Sequence, residues 1–94
     1  MPLREGVAAI QDSIGSALQA SWPALVTLTP ELLGFEYPGE KTLMFLEAIQ
    51  NLIDSGLVTC EAIIITSNSG PRVVDVALTA RGRVLFEPKG RVAA

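Results

Sequence analysis

Glu40, Glu47 and Asp54 fall at intervals of seven residues. On a helix that spacing is close to two full turns, so all three carboxylates share one face. Paired carboxylates can do general acid–base work, but no compelling pair of that kind stands out here. The other residue types that carry chemistry are scarce. The chain has no histidine, and Cys60 is its single cysteine. This excludes Ser-His-Asp and Cys-His catalysis, histidine metal ligation and a cysteine-based zinc site. An intramolecular disulfide is impossible. Cys60, at the start of an apolar run with no clustered cation, reads as structural. The sequence therefore predicts a non-enzymatic protein with no cofactor and no bound metal.

Charge is unevenly placed. Up to Pro71, Arg4 and Lys41 stand against Glu5, Asp12, Glu31, Glu36, Glu40, Glu47, Asp54 and Glu61. Beyond it, Arg72, Arg81, Arg83, Lys89 and Arg91 outnumber Asp75 and Glu87. Such asymmetry sets up local fields even though the formal net charge is −3. Hydrophobic residues make up 49% of the chain and mean hydropathy is +0.41. No apolar run reaches the ~18 residues of a membrane span. The N-terminus lacks the concentrated apolar core of a signal peptide. The expectation is a soluble cytoplasmic protein whose apolar excess is partly hidden in an oligomer interface.

The elements that must position these residues follow from hydrophobic period. Ninety-four residues make one domain, with a core over about residues 3–87 and a flexible tail at 88–94. Leu3, Val7, Ile10, Ile14, Ala17 and Leu18 form the stripe of a first helix from Leu3 to Ala20. Gly6 and Gly15 weaken that helix but permit close approach of another element. Trp22-Pro23 ends it. Ala24–Leu28 reads as a minimal strand. Thr29 to Gly34 reads as a one-turn helix, with Thr29 as cap, Pro30 at its first position and Gly34 at its end. The connector Phe35–Gly39 leads to the main helix, Glu40–Ser55, which buries Phe45, Ile49, Leu52 and Ile53 and closes on Gly56. Cys60–Thr66 and Arg72–Leu78 are β-rich, with a turn at Ser67–Pro71 between them. Thr79 caps a last helix running to about Glu87.

This order, together with Gly56-Leu57-Val58 and Leu78-Thr79-Ala80-Arg81-Gly82-Arg83, resembles the second half of a winged-helix domain of the MarR and PadR regulator families. The resemblance extends over about Val7–Phe86. It implies an α+β fold, a small winged-helix domain with three helices, a two-stranded wing hairpin and a C-terminal helix. It also implies that the solvent side of the main helix is the contact surface, since such domains commonly place that helix in the major groove of DNA.

The residues on that side argue against DNA. A helical wheel places Glu40, Glu47, Asn51 and Asp54 there, with Leu43 and Met44 among them. Phosphate contact requires lysine or arginine, and Lys41 alone stands at the flank. An apolar centre bordered by charge is the anatomy of a protein-contact patch. Alternatively, Leu43 and Met44 tuck under the N-terminal segment or under Phe35–Tyr37. The preferred reading is a regulator, adaptor or inhibitor that contacts a protein through Glu40, Leu43, Met44, Glu47, Asn51 and Asp54. The alternative is a DNA-binding transcriptional regulator using Arg72, Arg81, Arg83, Lys89 and Arg91. A homodimer is a further expectation, through the apolar stripe of the first helix or through Ile63–Ile65, which place large apolar groups on both faces of one strand. A small-molecule site at Trp22, Phe35 and Tyr37 is a weaker alternative.

Overall fold

The computed structural model describes residues 2–35, 41–66 and 70–87. Glu40, Lys89 and Arg91 lie outside them, as do Tyr37 and the expected tail at 88–94. The described residues form a small α+β domain of three helices and a four-stranded antiparallel sheet. Helix α1 spans Pro2–Ser21, strand β1 Val26–Leu28, a 3-10 turn Glu31–Leu33, helix α2 Lys41–Asp54, β2 Val58–Thr59, β3 Ala62–Thr66, β4 Gly70–Leu78 and helix α3 Ala80–Leu85.

The expected one-turn helix is a 3-10 turn. Thr29 Oγ1 accepts the Leu32 N–H at 3.1 Å, and Gly34 closes the turn at φ 86°. The expected two-stranded hairpin is part of a larger sheet. β4 lies at its centre. β1 pairs with one edge, Leu28 opposite Val73. β3 pairs with the other edge, Ile63 opposite Val73, and β2 continues that edge with Val58 opposite Leu78. Gly70 and Pro71 belong to β4 rather than to the turn.

β4 is not a regular strand. Val26 pairs with Val76 while Leu28 pairs with Val73, so β4 carries one extra residue there. The irregularity coincides with Asp75, which holds φ 55°. The extra residue restores the inward alternation: Val73, Val76 and Leu78 are all buried, although a plain two-residue period would expose Val76 or Val73.

The helices supply the other half of the core. Val7, Ile10, Ile14 and Leu18 of α1 meet Phe45, Ala48, Ile49 and Leu52 of α2, and both sets join Leu28, Val58, Val73, Val76 and Leu78. The part of the α1 stripe from Val7 to Leu18, apart from half-buried Ala17, is thus buried within its own chain. Val7, Ile10, Ile14 and Leu18 are already withdrawn from water there, so these four residues are not free to form a dimer interface. Gly15 allows Phe86 to lie against α1, and a Cβ there would overlap the phenyl ring.

Candidate functional site

The C-terminal end of α2 is locked by the residues that carried the sequence resemblance. Gly56 adopts φ 74° and closes α2 in a Schellman motif, with Gly56 N–H donating to Ile53 O and Leu57 N–H to Leu52 O, both at 3.0 Å. Thr79 ties this turn to α3. Its hydroxyl donates to Gly56 O at 2.6 Å and accepts the Gly82 N–H at 3.1 Å, while its own N–H donates to Leu57 O at 3.0 Å. Gly82 must be glycine because a Cβ would overlap the Leu57 carbonyl. Gly56, Leu57, Thr79 and Gly82 of these segments therefore tie the end of α2 to the start of α3.

That pose presents one side of α2 to solvent. Leu43, Glu47, Gln50, Asn51 and Asp54 are all exposed. Gln50 Nε2 donates to Asp54 Oδ1 at 3.0 Å, one helical turn on. Leu43 is 75% exposed, more than any other large hydrophobic residue described. Of the two placements left open for Leu43, the structure selects the exposed one.

Met44 is different. It is half-buried, packs on the core and puts its methyl group where a Cβ on Gly6 would stand. With Phe35 it lines a small cavity against Gly6, Ala9, Ile10 and Ser13 of α1. Met44 is therefore largely a contact between α1 and α2, the tucked placement of the two left open for it. Leu43 is the exposed large apolar residue of the solvent face and lies in the first turn of α2.

The described arginines do not gather into one patch. Arg72 is exposed on β4 opposite Ile64. The six residue steps from Arg72 to Leu78 span about 20 Å of strand, which separates it from α3. Arg81 lies beside Gly56, so that a Cβ there would be 3.5 Å from its Nη1. At the C-terminal end of α2 a cation is favoured by the helix dipole. The Arg83 guanidinium stacks on the Trp22 ring, 4.4 Å from its centroid. Its backbone carbonyl accepts from Gln19 Nε2 at 3.3 Å. Arg83 thus links α3 to the end of α1, an engagement that competes with phosphate contact and that sequence spacing did not reveal. Trp22 is partly exposed in this stack.

Two further features were missed or only half seen. Glu61 stands in the break between β2 and β3, beside Asp75. Its protonated carboxyl hydrogen-bonds to Asp75 and its ionised form is repelled by that carboxylate, so its pKa is raised from the ordinary 4.5. Ile63, Ile64 and Ile65, which place apolar groups on both faces of β3, are all exposed. Cys60 is partly buried and packs on the core cluster. Among the described residues no group of three or more Cys, Asp or Glu side chains could hold a metal ion. Nor is any described helix long and apolar enough to cross a membrane. No family model matches this chain, and neither does any curated protein or any solved structure.

Proposed function

We propose that this chain is a winged-helix domain that acts without catalysis, by binding another protein through the exposed face of α2. The order of its elements supports the fold: helix, short strand, 3-10 turn, main helix, hairpin and closing helix, with β1 added to the edge of the hairpin. The 3-10 turn stands where a winged helix has its second helix.

The observation that carries the functional reading is Leu43, 75% exposed on a helix face with Glu47, Asn51 and Asp54. An exposed leucine in the first turn of a helix, with Glu47 one turn on and Asn51 and Asp54 further along the same face, suits a partner with an apolar socket and a basic surface beside it. The same carboxylates repel a phosphate backbone. The dispersal of Arg72, Arg81 and Arg83 leaves no described cationic groove to offset that repulsion.

A fluorescence-anisotropy titration with labelled random duplex tests this reading. Non-specific DNA binders reach Kd values of about 10⁻⁴–10⁻⁶ M at physiological salt, and the present protein should bind more weakly than that range. Binding within it, steeply salt-dependent and lost in Arg72→Ala, would replace the protein-contact reading by the DNA-binding one.

A further inference from the structure

β3 is an edge strand. One side pairs with β4, and no described element pairs with the other. Natural edge strands are blunted by charge, proline, a bulge or a covering element. Ala62-Ile63-Ile64-Ile65-Thr66 has no charge and no proline, and its register with β4 runs without interruption from Ala62 to Thr66. Both of its faces are apolar and open: Ile63 is 37% exposed, Ile64 39% and Ile65 67%.

We propose that β3 pairs antiparallel with β3 of a second copy of this chain, about a two-fold axis through Ile64, to form a reversible dimer. The segment is self-complementary in that arrangement. Ile64 meets Ile64 of the partner subunit on the outer face. Ile63 meets Ile65 of the partner subunit, and the reverse, on the face that carries Val73 and Pro71. β-Branched side chains pack well against their neighbours on a pleated sheet. The charges are compatible as well. Arg72 stands beside Ile64 on β4. Its counterpart would be three strand spacings away, about 14 Å, beyond the Debye length of about 8 Å at physiological ionic strength. Glu61, adjacent in sequence, falls outside the paired segment. A two-fold contact closes on itself, so the product is a dimer and not a fibre.

The size of the contact sets its strength. Five residues of edge bury less than the ~800 Å² per partner of a standard interface, and contacts below that size are weak and transient. The dimer does not depend on the face of α2.

Sedimentation equilibrium from about 10 µM to about 1 mM, the range in which so small a contact should associate, tests the proposal. The expected result is a monomer at the low end and a mass of two chains at the high end. Ile64→Lys should shift the dissociation constant at least tenfold upward, and Ile65→Thr, which keeps strand propensity, by a smaller factor. Circular dichroism would verify that both variants are folded. Val84→Lys, a control on the exposed surface of α3, should dimerise like the parent. A parent that stays monomeric throughout overturns the proposal. So does a dimer that survives Ile64→Lys in a folded chain, or one that Val84→Lys abolishes.

Discussion

At the scale of single residues, Leu43 and Met44 are neighbours with opposite fates. Leu43→Asp should change stability by less than about 0.5 kcal/mol, as exposed substitutions do. Met44→Asp should cost about 2–3 kcal/mol, because it sets a carboxylate against the α1 backbone at Gly6. Chemical denaturation of both variants checks the contrast. Glu61 offers a second test. Its raised pKa means that the folded state holds the proton more tightly than the unfolded chain. Its contribution to stability is therefore fully present below the ordinary value of 4.5 and is lost as pH rises through the raised one. Glu61→Gln removes the repulsion from Asp75. The variant should melt above the parent at pH 7, and the gap should close as the pH is lowered through the range where Glu61 protonates. Thermal melts of the pair across pH 3–7 would show it; a gap independent of pH would deny the link to Asp75. The exposure of Leu43 could not be settled from sequence, because a helical wheel shows which side a residue occupies but not what covers that side.

At the scale of elements, the sequence was most legible where local rules govern. Gly34, Gly56 and Thr79 stop or start their elements as expected, because each satisfies backbone groups that helix ends leave open. It was least legible where one element meets another. The bulge at Asp75 appears in sequence only as a slip of alternation across Val73-Val74-Asp75-Val76, and the stacking of Arg83 on Trp22 joins residues remote in the chain. The Thr79 cluster yields a sharp prediction. Thr79→Ala should cost about 1–2 kcal/mol, the usual loss of a helix cap, with more from the Gly56 carbonyl left without its donor. Gly82→Ala should cost at least the ~1–3 kcal/mol of an overpacked site, since the obstacle is the Leu57 backbone carbonyl and not a movable side chain. Urea unfolding would measure both. A Gly82→Ala protein as stable as the parent would mean that α3 is not seated on Leu57.

At the scale of the whole molecule, the apolar excess of the chain is divided between one shared core and separate exposed groups on α2, β3 and α3. The core consumes the α1 stripe, and the exposed groups remain for contacts with other molecules. The charge asymmetry read from sequence persists, but its described cations are spread over β4, the end of α2 and the Trp22 stack. The described carboxylates of α2, Glu47 and Asp54, share one exposed face. The central claim is that this face, with Leu43 as its exposed apolar group, contacts a protein. The most direct test places a photo-crosslinking amino acid at position 43 in the producing cell, with a second at exposed Ala8 on α1 as control. The account predicts one discrete adduct at position 43 that protease destroys and nuclease does not, absent at position 8 and lost on Glu47→Lys. A nuclease-sensitive adduct at position 43, or none there in a folded protein, would contradict it.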